Sequence, residues 1–120
     1  MGGNEESAMN EPAKEKADKL PIYQAVLSYF PRAIQEVCRI SQYGVEKHNA
    51  PFNAPTFPNP EYPVEGFVDA IARHLLKRAI HGEMNKEDGD TYHLAAVIWS
   101  GLAALEKILR EKERIENEYR

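Results

Sequence analysis

Residues 67–105 read FVDAIARHLLKRAIHGEMNKEDGDTYHLAAVIWSGLAAL, and this stretch decides the fold. In its first part Val68, Ile71, Ala72, Leu75 and Ala79 form a stripe at helical spacing, with Leu76 and Ile80 beside it. A polar segment, Gly82 to Asp90, interrupts the pattern. A second apolar series follows at Leu94, Val97, Ile98, Leu102, Leu105, Ile108 and Leu109. The spacing predicts one helix from about Val64 to Ile80, ended by Gly82, and another starting near Thr91. Asp90 stands directly before Thr91 and reads as its N-cap. Ala95, Ala96, Gly101, Ala103 and Ala104 keep the other faces of this last helix small. Such a helix suits the centre of a bundle or a subunit interface.

Toward the N-terminus, residues 48–63 hold Pro51, Pro55, Pro58, Pro60 and Pro63. No helix or central strand survives that density of proline. A loop this long is often functional, and Phe52, Phe57 and Tyr62 within it can anchor it or cover a ligand. Before it, Pro31 suits the first turn of a helix, and Ile34, Val37, Cys38, Ser41 and Val45 follow at helical spacing. This helix is expected to reach about Tyr43, with Gly44 as a stop or kink. Leu20 to Phe30 is apolar between Pro21 and Pro31 and reads as a short helix or extended segment. Residues 1–19 are polar and are expected to be disordered, because they cannot bury enough surface to offset the entropy of ordering. From Glu106 the chain is mostly charged, with Glu106 and Arg110 spaced for a helical ion pair, and 113–120 is expected to be a solvated, fraying end. No period-two alternation predicts a strand. The expectation is an all-α fold: a small helical bundle over residues 20–112, with a proline-rich loop between its first two main helices.

The chain has 120 residues, which bounds it to one domain with about 90 residues available for a core. A helical domain of that size gains burial by oligomerising, so a homo-oligomer, a dimer or tetramer, is expected. The net charge of −4 argues against a nucleic-acid surface. Cys38 is the only cysteine, so no disulfide forms within the chain and a reducing, cytoplasmic setting is the simple inference. No apolar run approaches the roughly 20 residues of a membrane span, and no apolar core of a signal peptide is expected at the N-terminus.

Several residues carry chemistry. Asp69 and Arg73 are four apart on one helical face. They are either an intrahelical ion pair or a carboxylate and a phosphate-binding fork. His74 lies beside the apolar stripe and is either a satisfied core histidine or a ligand. Glu83, Glu87, Asp88 and Asp90 fall within eight residues and are either a solvated turn or ligands for a hard cation. Carboxylate oxygens suit Mg²⁺, which usually reaches a site together with substrate phosphates. His93 opens the last helix in a structural or an inward-facing polar role, and Trp99 reads as core packing. No Walker-type loop, serine-nucleophile motif or Cys-His pair stands out.

Taken in order, Gly44-Val-Glu46-Lys47-His48, Asp69-Ala with Arg73-His74, Gly82-Glu83, Asp88-Gly89 and His93-Leu94-Ala95 make a set. It resembles the phage-type dATP/dGTP diphosphohydrolase family, which is similar to the MazG-like all-α nucleotide pyrophosphohydrolases. The resemblance runs over roughly residues 20–109. It implies hydrolysis of dGTP or dATP to the monophosphate and pyrophosphate with Mg²⁺ or Mn²⁺, shaping a phage nucleotide pool in the host cytoplasm. It implies Glu46, Asp69 and Glu83 as catalytic carboxylates, which with Asp88 hold the metal. Lys47, Arg73, His74 and His93 would meet the substrate, with Asn49 or Asn53 in the position of a family asparagine. Two alternatives stand beside this reading: the same chemistry on pyrimidine triphosphates, and a non-catalytic helical interaction protein.

Overall fold

The computed structural model describes residues 19–49, 52 and 61–119. The chain divides into two units, residues 1–31 and 32–120. In the first, Tyr23–Leu27 forms a short π-helical turn closed by the Ser28 amide on the Tyr23 carbonyl at 2.8 Å. Its apolar side chains, among them Leu20, Ile22, Tyr23 and Tyr29, are exposed. The expected disorder of residues 1–19 lies outside the described residues except at Lys19.

The second unit is built on three helices: α1 (Pro31–His48, all but its first residue), α2 (Val64–His81) and α3 (His93–Glu118). Between α2 and α3 lie two-residue strands, β1 (Met84–Asn85) and β2 (Thr91–Tyr92), paired antiparallel with Met84 opposite Tyr92 and Asn85 opposite Thr91. The all-α expectation holds, with this small hairpin added. Most of the proline-rich connection between α1 and α2, residues 50, 51 and 53–60, lies outside the described residues, Phe57 included. Phe52 is exposed. Tyr62 anchors the loop's end: its ring lies 4.8 Å from that of Phe67.

Three boundaries differ from expectation, each for a local reason. Helix α1 runs through Gly44 and stops at Asn49, whose backbone is left-handed at φ 51°. Asparagine tolerates that conformation better than most residues, so it ends the helix where Gly44 does not. Helix α3 begins at His93 rather than Thr91, because Thr91 and Tyr92 pair with β1. Asp90 is consequently not the cap. It sits in the turn at φ 55°, directly after Gly89 at φ 74°. Five residues, 86–90, join β1 to β2, and the left-handed backbone at Gly89 and Asp90 brings the chain back to pair Thr91 with Asn85. The first amide of α3 is satisfied instead by the Glu83 carbonyl, 2.9 Å from His93 N. Gly82, at φ 94°, closes α2 as expected, its amide reaching the Arg78 carbonyl at 2.9 Å.

The packing of α2 and α3 departs further from the sequence reading. The residues of α2 turned inward are Val64, Phe67, Ala70, Ile71, His74 and Lys77, of which Phe67 is 8% exposed. Val68, Ala72, Leu75, Leu76, Ala79 and Ile80, most of the expected core stripe, are exposed. On α3 the buried set is His93, Ala95, Ala96, Ser100, Ala103 and Ala104. Phe67 packs with Ala103 and Ala104, flanked by Val64 and Trp99. The alanines let the two helix backbones approach closely, which puts small residues inside and leaves the leucines and isoleucines of α3 outward. Trp99 joins this cluster by its ring, 6.3 Å from Phe67, and donates its indole N–H to Ser41 Oγ on α1 at 2.7 Å. Beyond residue 112 the helix continues to Glu118, carrying ion pairs of Arg114 with Glu111 and Glu118 and of Lys112 with Glu116.

Candidate active site

The hairpin that α2 and α3 enclose gathers the polar groups. Asp88 lies in its turn, half-buried, and is held at both carboxylate oxygens. The Tyr43 hydroxyl, from α1, donates to Oδ1 at 3.1 Å, and Asn85 Nδ2 donates to Oδ2 at 3.4 Å. Asn85 is itself only 4% exposed. The Asp88 carbonyl accepts from Thr91 Oγ1 at 3.1 Å. Lys47, one helical turn beyond Tyr43, places Nζ 3.8 Å from Asp88 Oδ1 and 5.9 Å from the centre of the Tyr43 ring. Burial first, and then the adjacent carboxylate, push the Tyr43 phenol above its ordinary pKa, so it stays protonated and donating. Gly89 completes the contact. A Cβ there would meet the Tyr43 ring at 2.8 Å, so only glycine lets the turn lie flat against it.

A second polar contact crosses between α2 and α3. His74 Nδ1 and His93 Nδ1 are 3.0 Å apart, their ring centres 5.3 Å apart. His93 is 2% exposed and His74 half-buried. At that distance one ring donates and the other accepts, so the pair holds a single proton between the two nitrogens. Burial holds the His74 imidazole below the usual histidine range, and His93 and Lys77 add to the shift while Asp88 opposes it.

The remaining predicted residues are placed as follows. Glu83 lies at the start of the hairpin and is gripped by Arg78 through Nε to Oε1 and through Nη2 to Oε2 at 3.3 Å. Glu46, Asn49, Asp69 and Arg73 are exposed. Asp69 and Arg73 form no ion pair with one another among the described residues. Asn53 lies outside the described residues. The structure therefore brings Lys47 to Asp88 and His74 to His93. It commits Glu83 to Arg78, and leaves Glu46 and Asp69 at the surface. Among the described residues no three His, Cys, Asp or Glu side chains are grouped to hold a metal ion. Within one chain, then, the expected carboxylates do not form a cage for Mg²⁺ or Mn²⁺.

Sequence reasoning missed Tyr43, Arg78 and Asn85. Tyr43 was signalled only by its i,i+4 spacing to Lys47, Arg78 by its place in the last turn of α2, and Asn85 by lying three residues before Asp88. None of these spacings is distinctive until the hairpin folds back.

The family model for the dATP/dGTP diphosphohydrolase N-terminal region matches residues 10–117. The chain belongs to the dATP/dGTP diphosphohydrolase family. The match covers α1, α2, the hairpin and α3 up to residue 117, so the residues around Asp88 and between His74 and His93 all fall inside the family's own span. No curated relative and no solved structure matches the chain. Among the described residues no helix is long and apolar enough to cross a membrane.

Proposed function

We propose that this protein hydrolyses a purine deoxynucleoside triphosphate, dGTP or dATP, to the monophosphate and pyrophosphate. The observation that carries the reading is the family match over residues 10–117. The arrangement of cations agrees with it. Lys47 stands beside the hairpin turn, half-exposed, and Arg73 is exposed on α2. Arg73 would meet phosphate oxygens through a planar fork of donors, and Lys47, already 3.8 Å from Asp88 Oδ1, as a point charge shared with that carboxylate. Tyr43, Asn85 and Lys47 fix the Asp88 carboxylate, so this group holds one orientation as substrate arrives. Phosphoryl chemistry rests on positioning and charge stabilisation more than on covalent participation by the protein, and fixed groups of this kind provide both.

Mg²⁺ or Mn²⁺ is part of the proposal. Glu46 and Asp69 are the two predicted ligands that make no ion pair among the described residues. The nucleotide-pool role and a cytoplasmic setting belong to the same reading. Incubation with each deoxynucleoside triphosphate, with either metal and with chelator, tests it. The purine triphosphates should yield monophosphate in the metal arms, and the chelated arms should be silent. Turnover confined to dCTP or dTTP would move the substrate to the pyrimidines.

The second reading, a helical interaction protein without catalysis, is favoured by one observation: the four predicted carboxylates do not gather within one chain. Absence of turnover on every triphosphate in both metals would establish it in place of the enzyme.

A further inference from the structure

The loop between β1 and β2 carries two consecutive carboxylates, Glu87 and Asp88, and each meets a lysine from a different helix. Lys47 of α1 places Nζ 3.8 Å from Asp88 Oδ1, and Lys77 of α2 places Nζ 3.9 Å from Glu87 Oε2. Both separations exceed a hydrogen bond, and all four side chains reach solvent, Glu87 at 85% exposure. Pairs this open contribute little to stability, because water and salt screen them. Arg78, by contrast, closes on Glu83 through two of its nitrogens.

Two further observations tie Lys77 to the candidate site. It lies one helical turn after Arg73, on the same face of α2. Its charge also reaches His74. After burial and His93, Lys77 lowers the His74 pKa, while Asp88 raises it. Lys77 and Asp88 thus act on one imidazole, and Lys47 stands at that same Asp88.

We infer that Lys77 is a second phosphate-binding lysine, which with Lys47 forms a seat for a pyrophosphate group, and that Glu87 and Asp88 hold the two ammonium groups in place until phosphate oxygens take them. The chemistry favours the exchange. Each carboxylate offers its lysine one loosely held charge. Two linked phosphates offer several charged oxygens, and a lysine meets them as a point charge that needs no fixed geometry. Two cations brought to consecutive loop residues suit two linked phosphates better than one. The inference rests on the triphosphate reading for its ligand, and it adds Lys77, which no motif marks.

Calorimetric titration of the full chain with inorganic pyrophosphate at fixed ionic strength, with Mg²⁺ in one arm and chelator in the other, tests it. Lys77→Met keeps the aliphatic length and helix propensity, so its far-UV signal should be parental while binding weakens roughly tenfold. Lys86→Met makes the same charge change at an exposed position of the same loop, and should stay within about twofold of the parent. Glu87→Gln removes the carboxylate that competes for Lys77, and should tighten binding. Parental affinity in Lys77→Met would overturn the inference, as would a parent that takes no pyrophosphate in either arm. Equal weakening in Lys86→Met would reduce the effect to overall charge and overturn it too. So would weakening in Glu87→Gln, because the pair would then only brace the loop. Pyrophosphate binding that depends on Lys77 in a chain that hydrolyses no triphosphate would keep this inference and remove the proposed hydrolysis. Turnover at parental KM in Lys77→Met would do the reverse.

Discussion

Asp88 depends on groups that lie far from it in sequence. Its Oδ1 accepts from Tyr43, 45 residues earlier, and the hydroxyl has no other role in the turn. Tyr43→Phe should therefore destabilise the protein by about 1 kcal/mol, the usual net worth of a hydrogen bond, measured by urea unfolding. If Asp88 serves the reaction, the same variant should lower kcat with little change in helical signal. The His74–His93 contact gives a pH prediction. The folded state holds His74 below the ordinary histidine pKa, so the unfolded chain binds its proton first as pH falls. Stability from this contact is complete above about pH 6.5 and is lost on acidification below it. Thermal melts from about pH 8 to about pH 5 should show a falling midpoint, and His74→Gln should flatten the slope. An unchanged slope in the variant would remove this contact from the account. Glu83 behaves differently. Its pairing with Arg78 is solvent-exposed on both sides, so Arg78→Ala should cost under about 1 kcal/mol.

The hairpin is the element on which the site depends. Gly89→Ala places a methyl group against the Tyr43 ring and forces alanine into a left-handed backbone. It should cost on the order of 1–3 kcal/mol and loosen α1 from the turn, seen as faster amide exchange around Tyr43. Asp90→Gly should be neutral or stabilising, since Asp90 holds a positive φ and caps nothing. A loss of about 1 kcal/mol in that variant would restore the capping role that its sequence position suggests. These elements were unequally legible. The three helices follow from spacing of apolar residues, and Gly82 ends α2 as composition implies. The hairpin was hidden because two-residue strands are too short to show alternation, and its five-residue loop carries no two-residue turn signal. The faces of α2 were misread because periodicity identifies an apolar stripe but not what covers it. His74 faces inward there, toward His93, while Leu75 and Leu76 face out.

At the scale of the molecule, the family was legible from the order of its motifs, and the match over residues 10–117 places them in one span. Of the residues singled out from the sequence, two pairs come together. Lys47 with Asp88, and His74 with His93, meet across long sequence separations. The residues that hold them, Tyr43 and Asn85, carry no motif. Their roles arise only when the turn packs on α1. Exposed Glu46 and Asp69 mark where the account is most open to test by substitution. Asp69→Ala should cut turnover by at least a hundredfold while preserving the far-UV signal, and parental turnover in that variant would place the chemistry elsewhere.

The central claim is that the bond broken lies between the α- and β-phosphates. Phosphorus NMR of dGTP incubated with the full chain and Mg²⁺ or Mn²⁺ reads this directly. The account predicts dGMP and pyrophosphate in equal amounts, growing together with no dGDP. Release of dGDP with orthophosphate, or dGTP left intact in both metals, would contradict it.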